Sequence, residues 1–241
     1  MTAVTARAEE SAQARILIEK AIRAQGGEAR LAKNPVIIVK AKGKFHGFDE
    51  YPAFSFTCES ISQGSDRLSV FYDGNTWFHK FRLCSVLNGN KGWVKGNNDT
   101  KELTHELNEE QLAESQEEAY AEWVATLVPL KDKAFTLAPL RAINIDKRPA
   151  LGVRVSSKGH RDVKLFFDQE TSLLVKIERN TKMADGKEYT MEAFLSDYKS
   201  VEGIKQAMKV SVKRNGKPHE DYKVIQYTLA ETADWGTFAK P

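Results

Sequence analysis

Along most of this chain apolar residues recur at every second position, the period of a strand with one covered face. A first series of such runs covers Val36 to Phe45, Tyr51 to Ser62, Arg67 to Tyr72, Thr76 to Leu87 and the short Gly92 to Lys95. Turn chemistry separates them: Gly47, then Gln63-Gly64-Ser65-Asp66, Asp73-Gly74-Asn75 and Asn88-Gly89-Asn90. A second series follows a link at Phe135 to Leu140. It runs Arg141 to Asp146, Ala150 to Ser156, Arg161 to Phe167, Leu173 to Asn180, Glu188 to Tyr198, Met208 to Arg214 and Pro218 to Leu229. The Asn215-Gly216 dipeptide between the last two suits a type I′ hairpin, which needs positive φ at both central residues. Faces can be read inside the runs. Phe54, Phe56 and Cys58 oppose Ser55, Thr57 and Glu59, while Trp77, His79, Phe81 and Leu83 oppose Lys80 and Arg82.

Two stretches break this period. From about Glu9 to Gln25, Ile16, Leu17, Ile18, Ala21 and Ile22 supply an apolar side and Gly26-Gly27 a stop, which predicts a helix; Glu28 to Lys33 adds a short helical turn. From Asn108 to Leu127, Leu112, Ala119, Tyr120, Trp123, Val124 and Leu127 recur at helical spacing, with Asn108 to cap the start and Pro129 to end the helix. Its rich apolar stripe predicts an element that plugs or covers the sheet. The result is one mainly β (α+β) domain with no linker: a helical segment over 1–35, a first meander over 36–104, the covering helix over 105–130 and a second meander over 131–241.

Charge adds a local asymmetry. The net charge of +3 is too small to point to nucleic acid. Between Asp99 and Glu122, however, nine acids stand against one lysine, Lys101, and the strands from Arg141 onward carry a basic excess. The plain reading is a solvated acidic helix face beside basic strand edges. Cys58 and Cys84 have no CxxC partner and point to different faces, which disfavours a disulfide. No run is long and apolar enough for a transmembrane helix, and the residues up to Ala14 lack the apolar core of an export signal.

Catalytic patterns are not found. Gly159-His160-Arg161-Asp162 has the look of a kinase catalytic loop, but Phe167 stands where that motif needs Asn, so a turn entering a strand is the better reading. His46, His79, His105, His160 and His219 are scattered without metal-ligand spacing. The aromatic residues say more, because most fall at strand positions. In a closed barrel they fill the interior; in an open, curved sheet with a helix in its mouth they line an apolar cavity able to take an acyl chain. The lining residues expected on the second view are Phe54, Phe56, Trp77, Phe81, Trp123, Leu127, Phe166 and Phe194.

Three segments then carry a family resemblance: Asp146-Lys147-Arg148-Pro149-Ala150-Leu151-Gly152-Val153-Arg154-Val155; Phe167-Asp168-Gln169-Glu170-Thr171 with Leu173 to Glu178; and Phe194 to Ile204, ending in Val201-Glu202-Gly203-Ile204. With the Lys20 to Gly27 helix end before them, they make the chain similar to the outer-membrane lipoprotein-sorting (LolA/LolB-like) superfamily, most closely over Arg141 to Val212. The resemblance implies a strongly curved antiparallel sheet forming an incomplete β-barrel, with the N-terminal and central helices on its concave side. It also implies a periplasmic, non-catalytic carrier or sensor of a lipid or lipidated protein, without cofactor or nucleic acid and with a membrane-associated protein as a possible partner. A cytoplasmic location is the alternative, and a protein-interaction module with a packed β core is the other function. The chain departs from the family at Ser172, where Gly is common and a left-handed turn would strain any other residue, and at Ala207, where Pro is usual.

Overall fold

The computed structural model describes residues 2–47, 52–75, 80–98, 101–182 and 186–241. Helix α1 (Thr2–Gln25) and the short α2 (Glu28–Leu31) precede six strands: β1 (Val36–Phe45), β2 (Phe54–Gln63), β3 (Arg67–Asn75), β4 (Lys80–Asn88), β5 (Lys91–Asn98) and β6 (Lys101–Glu106). Helix α3 (Glu109–Ala125) and a 3₁₀ turn (Val128–Lys131) lead to seven more. These are β7 (Thr136–Ile145), β8 (Arg148–Ser156), β9 (Val163–Asp168), β10 (Leu174–Lys182), β11 (Glu188–Val201), β12 (Ile204–Arg214) and β13 (Lys217–Ala230).

All thirteen strands form one antiparallel sheet in the order β6-β5-β4-β3-β2-β1-β13-β12-β11-β10-β9-β8-β7. Each meander pairs strand by strand with its neighbour in sequence, and only β1 against β13 joins the two series. Strands β6 and β7 are free edges, so the sheet curves without closing into a barrel. Thirteen strands at about 4.8 Å spacing give an arc of roughly 60 Å, whereas a helix is only about 10–12 Å across. Two helices therefore cannot fill the trough, and where they sit decides what stays empty.

Local chemistry explains most boundaries. Asn108 and Gln111 form a reciprocal cap on α3, the Gln111 amide donating to Asn108 Oδ1 at 2.9 Å and the Asn108 amide to Gln111 Oε1 at 3.1 Å. Gly26 ends α1 at φ 142°, and a Cβ there would press to 2.7 Å from the Gly203 carbonyl oxygen, so the helix end needs glycine to approach the β11–β12 turn. Asn215 and Gly216 take φ 48° and 77°, as the hairpin reading requires. Ser172 does sit in the left-handed region, at φ 58°.

Two expectations are corrected. The last strand of the first meander does not stop at Lys95: β5 continues to Asn98, and β6 adds a sixth strand that the pattern did not predict, ending two residues inside the 105–130 segment assigned to the covering helix. Leu103 is the single large apolar side chain of the Lys101–Glu106 run, so pairing with β5 rather than burial makes it a strand, and its charges suit a sheet edge. The supposed link at Phe135 to Leu140 is the start of β7, where Pro139 is tolerated because the strand lies at an edge.

The main core lies where α1 and α3 press on the second meander. Val153, Val155, Leu165 and Phe167 of β8 and β9 are fully buried against Ile18, Ile22, Tyr120 and Val124. On the opposite, convex face the C-terminal segment crosses the first meander, placing Phe238 on Cys84 and Val86. Both cysteines are free; Cys58 faces the trough and Cys84 this outer cluster, with β3 between their strands.

Candidate functional site: a cavity under the central helix

Helix α3 spans the trough as a beam. It packs on β4 and β5 at one side and on β9 and β10 at the other. At the first side the contact is mainly apolar, Ala119 and Leu112 against Leu68 and Val70 of β3 and Leu87 of β4, with Gln116 Nε2 donating to the Gly89 carbonyl at 3.1 Å. At the second it is ionic. Glu114 pairs with Arg161; Glu117 accepts from His160 Nδ1 at 3.0 Å and from the Arg161 amide at 2.9 Å. Glu118 meets Arg179 at 3.4 Å, and Glu110 meets Lys182 at 3.5 Å. Burial opposes ionisation of Glu114, but bonds from the Lys182 amide, Arg161 and Thr181 outweigh it and hold the carboxyl below its usual range. The helix's acidic face is therefore a docking face for the basic strands and not a solvated back. The His160 ring also stacks on Tyr120, with centroids 3.8 Å apart and planes 3° from parallel.

Beneath the beam lies a cavity of about 1270 Å³. This exceeds the roughly 300–1,000 Å³ of common small-molecule sites. Its floor is made by the middle strands β1, β2 and β11 to β13: β1, β11 and β12 turn mostly aliphatic side chains inward, Ile37, Val39 and Ala41, then Met191, Ala193 and Leu195, then Val210 and Val212, whereas β2 brings Phe56, Cys58, Ser60 and Ser62 and β13 sets Val224 and Leu229 among polar and aromatic residues. Most of these are only partly buried, unlike their counterparts in β8 and β9. Phenols interrupt the apolar wall at Tyr72, Tyr198, Tyr222 and Tyr227. Tyr198 donates to the Leu174 carbonyl; Tyr72, Tyr222 and Tyr227 hydrogen-bond to no described residue. Burial pushes all four hydroxyls above their ordinary pKa, so they stay neutral donors.

Carboxylates also face this space. Glu118 and Glu122 project from α3, and Glu220 from β13. Glu122 keeps surface open to the cavity yet lies deep in the fold. Burial, and then the neighbouring Glu118, push its carboxyl up to about 7 against the pull of Arg179. Glu220 is pushed up to about 7 by burial and by Glu118. Burial and Glu220 raise the Cys58 thiol to about 11, which leaves it a poor nucleophile. No group of three or more His, Cys, Asp or Glu among the described residues could hold a metal ion.

The structure divides the aromatic residues expected to line a cavity. Phe56 and Trp123 are on its wall. Phe54 and Phe81 stand behind that wall, in a plug where Phe54 packs on Phe45 at 4.8 Å, on Phe81 at 5.0 Å and on Phe56 at 6.3 Å between centroids. Trp77 lies outside the described residues. Leu127 is not at the cavity, because the chain turns back after α3 at φ 70° and buries it in the main core. Phe166 and Phe194 are on the opposite face, flanking Lys176, whose Nζ lies 5.2 and 5.5 Å from their ring centres. The alternation in Val163-Lys164-Leu165-Phe166-Phe167 contained that answer, since Phe166 shares the parity of Lys164 and Phe167 that of Val163 and Leu165. Sequence reasoning also passed over the tyrosines and the three glutamates. A residue type common in cores or on helix surfaces gives no local sign that it borders a void.

Neither a protein-family model nor a curated protein matches the sequence of this chain. Solved structures do match its shape. A LolA-superfamily protein from Nitrosomonas europaea superposes with TM-score 0.57 at 11% identity, over 93% of this chain and 96% of that one. A DUF1329-family protein from Desulfovibrio piger gives 0.55 at 10% identity, over 93% and 96%. A domain described as an outer membrane lipoprotein-sorting protein, from Vibrio parahaemolyticus, gives 0.53 at 10% identity, over 92% and 97%. The chain therefore has the LolA-type fold along nearly its whole length. No described helix is long and apolar enough to cross a membrane.

Proposed function

We propose that this protein is a non-catalytic carrier or sensor that holds the apolar part of a lipid or lipidated protein in the cavity beneath α3, in the periplasm. The supporting observation is the half-covered aliphatic floor of β1, β11 and β12, which keeps apolar side chains around an unfilled space. Each methylene removed from water contributes about 0.8 kcal/mol. A dozen give roughly 10 kcal/mol gross, against an association cost of about 4–15 kcal/mol. Useful affinity thus needs a long chain, and the cavity has room for one. A fold shared with a lipoprotein-sorting domain supports the same reading.

A route inward is marked on the same face. Tyr72 pairs with Leu83, Leu83 with Gly96 and Gly96 with Leu103, a row that runs from the cavity wall to the β6 edge. Leu83 is 36% exposed and Leu103 is 55% exposed, so the row forms an apolar lip. The test is a cavity-filling substitution. Ala193→Trp should lower binding of a neutral alkyl-chain fluorophore by about tenfold or more while the protein stays folded. Unchanged binding, together with an organic extract of the purified protein free of lipid in mass spectrometry, would refute the proposal.

A further inference from the structure

The convex face of the sheet carries a charge pattern that the cavity does not use. Strands β12, β13 and β1 are neighbours at the middle of the sheet, where the two meanders meet. On them Lys209 lies directly opposite Lys223, and Lys223 directly opposite Lys42. The alternate residues Val210, Tyr222 and Ala41 line the cavity, so the three lysines point outward, side by side on one face. Lys44 follows Lys42 on that face, two residues along β1. All four are exposed, and no ammonium group among them forms an ion pair or hydrogen bond with a described residue. The acids beside them are engaged, Glu59 with Lys40 at 2.7 Å and Asp221 with His46 at 2.6 Å, so the patch keeps a positive excess.

Like charges directly opposite one another weaken a ladder, and here the arrangement occurs twice in a row. Lysines on edge strands guard against edge-to-edge pairing, but none of these three strands is an edge. Apolar side chains share the face. Ile225, two residues beyond Lys223 where β13 slips register against β1, is 56% exposed. Phe71 of β3, between the cavity-lining Val70 and Tyr72, points outward and is 46% exposed.

We infer that the convex face over β12, β13 and β1 docks on a membrane surface rich in anionic phospholipid, with Lys42, Lys44, Lys209 and Lys223 on phosphates and Ile225 at headgroup level. Four clustered lysines are the charge such a surface attracts. Lysine is a flexible point charge, which suits phosphates that move laterally; fixed carboxylates on a folded partner gain more from the planar fork of arginine. Ile225 and Phe71 lose water at the headgroups while the lysine stems reach the phosphates. The cavity opens on the other side of the sheet, so docking leaves its mouth and α3 clear. The inference goes beyond the carrier reading and does not depend on it.

The full chain should co-sediment with vesicles of phosphatidylcholine and phosphatidylglycerol, at a ratio of about 7:3 and about 50 mM salt, about tenfold more tightly than with phosphatidylcholine alone. About 1 M salt should abolish the difference. Lys42→Gln with Lys209→Gln and Lys223→Gln should weaken binding to the anionic vesicles by about tenfold or more, yet melt no earlier than the wild type, because the row repels itself. Lys223→Gln alone, at the centre of the row, should weaken it about threefold. Lys20→Gln with Lys147→Gln and Lys158→Gln removes the same charge from α1 and the turns flanking β8, and should change binding less than about twofold. Ala193→Trp, inside the cavity, should leave it unchanged. Equal binding to both kinds of vesicle, equal loss from the two triple variants, or loss with Ala193→Trp overturns the inference. So does binding of poly-glutamate, abolished by the first three substitutions, without binding to anionic vesicles; that result assigns the face to an acidic protein. The carrier reading is judged separately, by fluorophore binding in the cavity.

Discussion

The two parts of the sheet treat the same kind of side chain in different ways. In β8 and β9, Val153, Val155, Leu165 and Phe167 have no measurable exposure, because α1 and α3 both rest on them. In β1 and β11, Ile37, Val39, Met191 and Leu195 point to the same side of the same sheet and are only partly covered. Residue type does not explain the difference. Helix placement does: the ion pairs from α3 to Arg161, Arg179 and Lys182 hold the beam against β9 and β10, and its apolar contacts hold it to β4 and β5. The middle of the trough lies out of reach. One region thus works as a core and the other as a wall.

Paired truncations should break or confirm this contrast most strongly. Phe167→Ala should cost about 3–5 kcal/mol in urea unfolding, while Val39→Ala, on the wall, should cost less than about 1 kcal/mol, because no surrounding atoms lose a partner. Equal costs would mean that the wall is packed after all.

The next effect tests the polar anchor of the core region. Asp168 takes both Arg148 Nε at 2.7 Å and Nη2 at 3.0 Å, and accepts from the Thr171 amide at 2.8 Å, with a side chain only 8% exposed. Those partners, Arg148 foremost, hold its carboxyl down to about 2. A depressed carboxyl pKa stabilises the fold above the unfolded value of 3.8 and loses that contribution as pH falls through 2. Asp168→Asn should therefore cost about 2 kcal/mol at neutral pH, with the cost shrinking below the unfolded value of 3.8 and gone only below pH 2, read from melts across that range.

Glu122 has the opposite sign. Its raised carboxyl pKa means that stability is complete below the unfolded value of 4.5 and falls as pH rises through 7. Water in the cavity screens part of the effect, so Glu122→Gln should stabilise the protein by only about 1 kcal/mol at pH 8, and not at pH 4. Stabilisation at the wall and loss at Asp168 from like substitutions would set the two regions apart. The smallest effect is at the turn: Ser172→Gly relieves left-handed strain and should add about 0.5–1 kcal/mol in thermal melts.

Much of this architecture was legible locally. The limits of β1, the Asn108 cap, the Gly26 stop and the Asn215-Gly216 hairpin all depend on a few adjacent residues, and each stands where the pattern put it. Strand β6 was hidden because its six residues hold one large apolar side chain, and the pairing that makes it a strand comes from β5. The site was legible in part. Phe56 and Trp123 border the cavity, whereas Phe166 and Phe194 fell to the other face through a parity their own neighbours displayed.

By itself the sequence determined two antiparallel meanders, a capped acidic helix between them and the face each strand residue takes, since period, caps and turns act over a few residues. Only the tertiary structure decided that β1 joins β13, that the helix acids bind the second meander's bases, and that a void remains above the middle strands. A void is the volume left over when distant elements have settled, and no single segment encodes it.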